Sequence, residues 1–368
     1  MRATFVAMGM TLGLAAEAGD LVFRDGFEVP PQMQPSELPS FASLGLYDSA
    51  SHWNQPIGAD PAIASDSAIL VQSLEASGSI ALQVGQYSAP VFFADPTTPR
   101  FDVELACGIE ADLGVVRMLD VPIPPWAVPS DDVDGSANPV PPTACGFDSD
   151  QDNHMVVLDL TRRCEFDLFQ ARLVDGKWIA SVANNLSIDG AGVYPGGVSS
   201  RGSGFPFLGG VIWPDELATG EITHALAFSY PCTKAGGPVP PATFSDGVTE
   251  DPSAIPIGAR VQLDPALDLD TLALQPYERT VAKALQVYGM VLVDTGGFCG
   301  FADPIGLYAV DPDSVSGNPY QGLLPDGDFI AVDLPLDRFR VLEFGEQIAD
   351  FTERAFVPDG VCSAFDRP

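Results

Sequence analysis

The sequence predicts a mainly β protein: a jelly-roll or concanavalin-like β-sandwich with one or two short helices. The 368 residues include 36 glycines and 34 prolines spread along the chain, which indicates frequent turns. Hydrophobic residues make up 46% of the chain, so a packed core is expected rather than disorder. Short apolar runs of strand length lie between the turn residues, as is typical of sandwiches and barrels.

The N-terminal region is expected to lie outside the folded domain. The apolar run 4–15 precedes a small-x-small motif at 16–18, and this run is shorter than a bilayer-spanning helix. We therefore expect a secreted protein, extracellular or periplasmic, without membrane insertion. The predicted organisation is a signal peptide over 1–18, a linker over 19–40, a sandwich domain over 41–310 and a C-terminal extension over 311–368 packed on that domain.

Strand-like segments outnumber helical ones. Pro276 suits the first turn of a helix over 276–288, and Gly289 suits its C-terminal cap. Residues 213–220 predict one helical turn, which Gly220 closes. The predicted strands are 68–76, 79–85, 89–95, 101–108, 154–160, 165–174, 176–184, 221–231 and 290–294.

Six cysteines predict three disulfides. An even number of cysteines in a secreted chain is typical of a disulfide framework. Fifteen pairings of six cysteines exist, and the sequence leaves the choice among them open. No two of these cysteines have CxxC spacing, which argues against a zinc ribbon. The cysteines are Cys107, Cys145, Cys164, Cys232, Cys299 and Cys362.

The charge balance restricts the partners. Only 17 basic residues stand against 50 acidic ones, which gives a net charge of -33. A chain this acidic would repel a polyanion such as DNA, so a nucleic-acid partner is not expected. Divalent cations and neutral or cationic substrates would be attracted. The charge has a simpler alternative role as well, because acidic side chains also keep a secreted protein soluble.

An aspartate-rich turn predicts a calcium site. Asp148, Asp150 and Asp152 occupy positions 1, 3 and 5 of a D-x-D-x-D series, a spacing that turns alternate side chains towards one ion. Asn153 stands at position 6, where the tight turn of a calcium loop prefers glycine. Asp159 at position 12 is a weaker candidate, because the apolar residues before it predict a strand. The alternative is a solvated acidic turn without an ion.

Two of the three histidines are candidates for acid–base chemistry. In the strand 221–231, alternation places His224 in an apolar row, either as a buried histidine or as the lining of a sugar groove. His154 opens its strand beside the aspartate turn. A hairpin that pairs Leu160 with Glu165 would separate His154 from Glu165 by roughly 20 Å. His154 would instead neighbour residues 169–172.

The string EFDLFQ, residues 165–170, resembles the E-x-D-x-x-E signature of the laminarinase-type glycoside hydrolases, which are concanavalin-like sandwiches. The resemblance implies Glu165 as nucleophile and Asp167 as the assisting carboxylate. Gln170 replaces the acid/base glutamate, and an amide cannot exchange that proton. A lyase is the alternative, in which an amide or arginine binds the sugar carboxylate. Gln170, Arg172, His154 and Tyr194 are suitable residue types for that chemistry.

A longer resemblance covers about residues 152–294. The segments DNHMVVLDL, EFDLFQA, SSRGSGFPFLGGVIWPDELATGEITHALAF and VAKALQVYGMVLVD are similar to a group of secreted bacterial proteins for which no activity is implied. The polar pattern shared with that group falls on Asp152, His154, Glu165, Glu216, His224 and either Ser200 or Ser203.

The sequence predicts a secreted carbohydrate-active protein. It would cleave a polysaccharide by acid–base chemistry in a sandwich groove, with hydrolysis favoured over elimination. The alternative is a non-catalytic, calcium-dependent carbohydrate-binding or surface protein, with no organic cofactor in either case. The candidate catalytic residues are His154, His224, Glu165, Asp167 and Glu216. The candidate substrate-binding residues are Gln170, Arg172, Trp178, Tyr194 and Trp213.

Overall fold

The protein is mainly β, as predicted from the sequence. The computed structural model describes residues 34–110, 113–130, 132, 143–146, 152–196, 200–301, 303–349 and 362–368. These residues belong to one compact unit that runs from Met33 to Pro368. Among them, no helix combines the length and the apolar character needed to cross a bilayer.

The described residues form three sheets and several short helices. In chain order the strands are β1 (Ile80–Gln83), β2 (Val91–Ala94), β3 (Arg100–Leu105), β4 (Arg117–Pro122), β5 (Met155–Asp159), β6 (Cys164–Phe169), β7 (Arg172–Val174), β8 (Lys177–Ala180), β9 (Val182–Ser187), β10 (Leu226–Tyr230), β11 (Arg260–Leu263), β12 (Met290–Thr295), β13 (Ile305–Tyr308), β14 (Phe329–Val332), β15 (Phe339–Val341) and β16 (Phe365–Asp366). The α-helices are α1 (Phe41–Leu44), α2 (Ser67–Ser77), α3 (Cys107–Glu110), α4 (Pro214–Thr219) and α5 (Pro276–Val287).

All three sheets mix parallel and antiparallel pairs. The orders are β14-β1-β13-β10-β12-β11-β15, β16-β4-β3-β8-β7 and β2-β5-β6-β9. Parallel pairs join β1 to β13, β10 to β12, β3 to β8 and β2 to β5. The stacked sheets are consistent with a sandwich, but these parallel pairs distinguish the topology from the antiparallel strands of a jelly roll.

The four-stranded sheet lies between two hydrophobic cores. Val156 and Leu158 of β5 pack in the core that includes the seven-stranded sheet. Their neighbours Met155 and Val157 pack in a second core with the five-stranded sheet. Successive side chains of a strand point to opposite faces, so this sheet is a middle layer. Burial on both faces explains why β5 reads as an uninterrupted apolar run.

A long bent hairpin carries the chain from the middle sheet to the five-stranded sheet. The single strands predicted over 165–174 and 176–184 each break in two. Gln170 has a φ of 52° and separates β6 from β7, and Ser181 separates β8 from β9. Strands that bend between packed sheets form corners of this kind. The register also differs from the prediction, because Glu165 pairs with Leu158 rather than with Leu160.

Both predicted helices are confirmed, and one predicted strand is wrong. Helix α5 begins at Pro276 and ends before Gly289, while Gly220 caps α4 in the left-handed conformation. The segment 68–76 lies in α2 instead of a strand. Its buried residues Leu70 and Leu74 are four apart and share one helix face, so helical burial outweighed the strand-like composition.

Three disulfides are present, as predicted. They pair Cys107 with Cys145, Cys164 with Cys362, and Cys232 with Cys299. The residues after 310 contribute β14 and β15 to the seven-stranded sheet and β16 to the five-stranded one.

Candidate functional site

His154, which immediately precedes β5, lies between a serine and an aspartate. Its ring Nδ1 is 2.8 Å from Ser200 Oγ, and its Nε2 is 3.6 Å from Asp152 Oδ2. His154 is 2% exposed, whereas the Asp152 side chain is 35% exposed. The backbone of this segment is fixed too, because His154 N donates to Ser130 Oγ over 2.9 Å. Asp152 therefore faces solvent while the imidazole behind it is held in place.

The ring of Phe207 connects His154 to a buried arginine. The centroids of the His154 and Phe207 rings are 4.2 Å apart. Arg201 Cζ lies 4.7 Å from the centroid of Phe207 and also 4.7 Å from that of Tyr308, which is the geometry of cation–π contacts. Arg201 Nη1 donates to the carbonyls of Pro206 and Gly209. The guanidinium is thus a buried positive charge packed between the Phe207 and Tyr308 rings.

Glu165 and Asp167 hold the turn that carries Phe207. Both are fully buried on the face of β6 opposite Phe166. Asp167 Oδ2 accepts from Phe207 N at 2.9 Å, and Glu165 Oε1 accepts from Leu208 N at 2.9 Å. Burial raises the pKa of both carboxyls, that of Glu165 well above its ordinary value, and the charge of Asp167 raises it further.

Tyrosines complete the surroundings of these two buried carboxyls. Tyr47 OH donates to Glu165 Oε2 and Tyr194 OH donates to Asp167 Oδ2, each over 2.7 Å. Because Glu165 pairs with Leu158, four residues beyond His154, the histidine lies about 14 Å away along the strand. The expected absence of a His154–Glu165 dyad therefore agrees with the observed register. Glu165 and Asp167 position the Phe207 turn from within the core.

Two further aspartates meet beside Ser200 and Arg201. The amide of Thr295 donates to Asp246 Oδ2 at 3.0 Å and to Asp294 Oδ1 at 3.1 Å. The two carboxyls also hydrogen-bond to each other. Both residues are partly exposed, although burial of the carboxyl groups dominates their pKa shifts. Two carboxyls this close do not both ionise readily, so the pair shares a proton.

The pKa shifts of this carboxyl pair follow from its surroundings. Burial raises the pKa of Asp246. Burial, the charge of Asp246 and the hydrogen bond to it raise the pKa of Asp294 well above its ordinary value. The negative charge of Asp152 also raises the pKa of Asp294 and the pKa of Tyr308. Asp152 is therefore close enough to interact electrostatically with the carboxyl pair.

Glycine at position 202 allows the pair to form. Gly202 N donates to Asp294 Oδ1 over 3.2 Å, and Gly202 O accepts from Asp246 N over 3.2 Å. A Cβ at this position would lie 2.3 Å from Asp246 Cγ. Each residue of the segment 200–202 therefore has its own contact. Ser200 contacts the imidazole, Arg201 packs on the Phe207 ring, and the Gly202 backbone binds the carboxyl pair. The arrangement offers a carboxyl pair that shares a proton and a separate, partly exposed carboxyl group, that of Asp152.

His224 and Glu216 lie elsewhere. His224 Nε2 is 3.2 Å from Glu216 Oε2, and its Nδ1 is 2.9 Å from Ala225 O. Burial opposes ionisation, but the Glu216 carboxylate and the Ala225 carbonyl raise the His224 pKa overall. His224 precedes β10, whereas Asp294 pairs with Ser229 near the other end of that strand, about 17 Å away.

Of the five predicted substrate-binding residues, the three aromatic ones are buried in the protein interior and the two polar ones hydrogen-bond to the segment 143–146. Trp178, Tyr194 and Trp213 are at most 3% exposed. Gln170 Nε2 donates to Gly146 O, and Arg172 donates to the carbonyls of residues 170 and 144. The aromatic rings present no open face to a sugar, while the Gln170 and Arg172 side chains hold the segment 143–146.

Only one of the three aspartates of the predicted calcium turn lies within the described residues. Asp148 and Asp150 lie outside the described residues. Asp152 is described and faces His154. Within the described ranges, no group of three or more His, Cys, Asp or Glu side chains has the arrangement of a metal site. A calcium ion at these aspartates stays a prediction.

Sequence reasoning brought Asp152, His154 and Ser200 to attention and missed Arg201, Asp246, Asp294 and Tyr308. A signal did exist for Asp294, since a carboxylate that ends the apolar run MVLVD stands at the end of a buried strand. Asp246 lies in a loop whose partner is 48 residues away in sequence, and no local pattern could join the two.

Comparisons of this chain with protein-family models, with curated proteins and with solved structures found no match.

Proposed function

We propose that this protein hydrolyses an uncharged polysaccharide at the carboxyl pair Asp246–Asp294, with Asp152 as the second acid–base group. The observation that carries the proposal is the Thr295 amide, which binds one oxygen of each carboxyl of the pair at 3.0 and 3.1 Å. Glycosidic hydrolysis needs a carboxyl acid and a separate carboxyl base that flank the scissile bond, the roles proposed for Asp294 and Asp152.

In this mechanism the acid of the pair protonates the leaving oxygen. Asp294, whose pKa is raised well above its ordinary value, gives its proton to the glycosidic oxygen as the C–O bond breaks. A water molecule forms the new bond to the anomeric carbon. Its proton passes to Asp152, which faces the His154 imidazole. Solvent then returns the proton from Asp152 to the pair, so that atoms and charge balance over one turnover.

The charge of the chain supports hydrolysis over elimination. A lyase acts on an acidic sugar and needs a positive group at the sugar carboxylate, whereas this site gathers three aspartates in a protein of net charge -33. Arg201 is buried behind the site and is 2% exposed. The three disulfides support an extracellular or periplasmic location, where polysaccharides are met.

The test is a panel of soluble neutral and acidic polysaccharides, with reducing ends and unsaturated products measured separately, with and without a chelator. Wild type should release reducing ends from at least one neutral member. Asp294→Asn should lower that rate by about 10²-fold or more, as expected for a lost general acid. Asp337→Asn, an exposed carboxylate outside the site, is the matched control and should leave the rate unchanged. Unsaturated ends instead of reducing ends would contradict hydrolysis.

A second candidate is a carbohydrate-binding protein without cleavage. Two strongly exposed aromatic side chains, Phe298 and Phe301, favour it, because exposed rings are the usual contact for sugars. Binding of a polysaccharide without any product from the whole panel would support this candidate over the hydrolase. Loss of that binding with a chelator would add the predicted calcium dependence.

A further inference from the structure

The loop after β12 presents two phenylalanines to solvent. Phe298 is 70% exposed and Phe301 is 69% exposed, more than the other large apolar side chains of the described residues. Their ring centroids are 6.3 Å apart, and the ring planes are inclined at 73°. Phenylalanine is normally buried, so a pair of exposed rings indicates a contact surface.

A disulfide and backbone hydrogen bonds hold the segment that carries the two phenylalanines. Cys299, between the two rings in sequence, is bonded to Cys232. Phe298 N donates to Asp303 Oδ2 over 2.8 Å, and Phe301 N donates to Phe298 O over 3.1 Å. Gly297 has a φ of 83°, and a Cβ there would lie 2.6 Å from Asp303 Oδ2. These contacts hold the backbone that carries both exposed rings, which lowers the entropy cost of ordering this segment when a ligand binds.

The same loop begins at the carboxyl pair. Thr295, whose amide bonds both Asp246 and Asp294, also donates from Oγ1 to Asp246 Oδ1 over 2.9 Å. The next residue, Gly296, donates to Tyr230 O. Phe298 is four residues beyond Asp294, so the chain keeps it within about 14 Å of the acid. Phe298 therefore lies within reach of the proposed site, and the Phe301 ring is next to the Phe298 ring.

We propose that Phe298 and Phe301 form a substrate platform on which sugar rings of an uncharged polysaccharide stack while an adjacent linkage lies at Asp294. This rests on the proposed function. Aromatic faces contact the C–H faces of sugars, and a neutral hydroxylated chain avoids the charge repulsion that a polyanion would meet beside Asp246 and Asp303. At 70% and 69% exposure the two side chains present roughly 200–350 Å², short of the ~800 Å² per partner of a stable protein interface.

The experiment compares Phe298→Ala, Phe301→Ala and the double variant with the matched control Phe329→Ala. Phe329 is exposed too, but it lies on β14, four strands from β12 and so about 19 Å from the site. Binding is measured by retardation in native gels cast with hydroxyethyl cellulose, galactomannan or soluble starch. Polygalacturonate gels, phosphatidylcholine vesicles and sedimentation of the protein alone test the other occupants of the platform.

Wild type should be retarded in at least one neutral gel. Each single variant should weaken that binding about five- to tenfold, and the double variant by more, while Phe329→Ala binds as wild type does. The proposal is overturned if wild type is retarded in no neutral gel or if the double variant binds like wild type. It is also overturned if the rings serve vesicle binding, polygalacturonate binding or self-association instead.

The outcomes separate this proposal from the function on which it rests. If wild type releases reducing ends and the double variant binds and cleaves equally well, the platform fails and the hydrolase stands. If wild type binds through the two rings and releases no product, the platform stands and the hydrolase fails.

Discussion

His154 Nδ1 lies 2.8 Å from Ser200 Oγ, and the two residues are 2% and 3% exposed. Ser200 Oγ also donates to Leu168 O over 3.3 Å. The separation of 3.6 Å between His154 Nε2 and Asp152 Oδ2 exceeds a hydrogen bond. Ser200 therefore orients the imidazole, and a nucleophilic role would require access to substrate that its burial denies.

The first prediction concerns Ser200. Ser200→Ala should leave polysaccharide cleavage within about tenfold of wild type, because the acid groups remain. It should lower the free energy of unfolding by about 1–3 kcal/mol, since a buried imidazole nitrogen loses its partner. Urea denaturation and initial rates measure the two effects. Complete loss of product with an unchanged free energy of unfolding would instead indicate a serine nucleophile.

The second prediction separates Glu165 from a catalytic role. Glu165→Ala leaves the Leu208 amide and the Tyr47 hydroxyl without their acceptor, and should cost about 3 kcal/mol or more of unfolding free energy. Glu165→Gln keeps an acceptor oxygen and resembles the protonated acid that the raised pKa favours, so it should cost less than half as much. The amide variant should still release product. If it is stable and inactive, the laminarinase-type assignment of Glu165 as nucleophile regains support.

The third prediction tests the close approach at Gly202. Gly202→Ala would place a methyl group 2.3 Å from Asp246 Cγ, and Thr295 holds that carboxyl through two hydrogen bonds. We expect a loss of about 1–3 kcal/mol in unfolding free energy together with impaired cleavage. Gly58→Ala is the control, because a Cβ there meets no atom within 4 Å. Equal stability of the two variants would mean that the pair tolerates displacement.

The fourth prediction is a pH dependence of stability. Asp311 is 4% exposed, and burial raises its pKa from 3.8 to about 7, with further contributions from the charges of Asp313 and Asp132. Between these values the folded state binds more protons than the unfolded state, so the unfolding free energy falls as pH rises from about 4 to 7 and then levels off.

Asp311→Asn should remove the fall in unfolding free energy between about pH 4 and 7. The amide can accept from Asp313 N and donate to Ser88 Oγ, the two groups that contact the carboxyl. At pH 8 the variant should exceed wild type by up to about 4 kcal/mol, since three pKa units at ~1.4 kcal/mol each are involved. At pH 4 the two should be similar. Thermal denaturation across this range is the measurement, and a difference independent of pH would refute the assignment.

Local sequence patterns predicted the helix ends and strands that depend on nearby residues alone. Pro276 and Gly289 bound α5 because proline suits a first helical turn and glycine adopts a left-handed cap. The run MVLVD became β12. In contrast, the segment 68–76 has strand-like composition but packs as α2, because its buried face contacts β15 and its neighbours. Tertiary burial overrides composition at such places.

The candidate site was only half predictable for the same reason. Asp152 and His154 stand together in sequence, so a local pattern identified them. Asp246 and Asp294 come from a loop and a strand end that meet only in the folded chain, through the Thr295 amide. The hairpin register was off by two residues, because the turn includes Leu160 rather than starting after it.

The fifth prediction addresses the central claim, that the Asp246–Asp294 pair supplies the proton for cleavage. The measurement is the pH dependence of kcat/KM for reducing-end release from a neutral polysaccharide, by wild type and by Asp246→Asn. The charge of Asp246 raises the pKa of Asp294, so its removal should lower that pKa. The account predicts that the alkaline limb of the profile moves to lower pH in Asp246→Asn. An alkaline limb that stays in place, or a wild-type protein that releases no reducing ends, would contradict it.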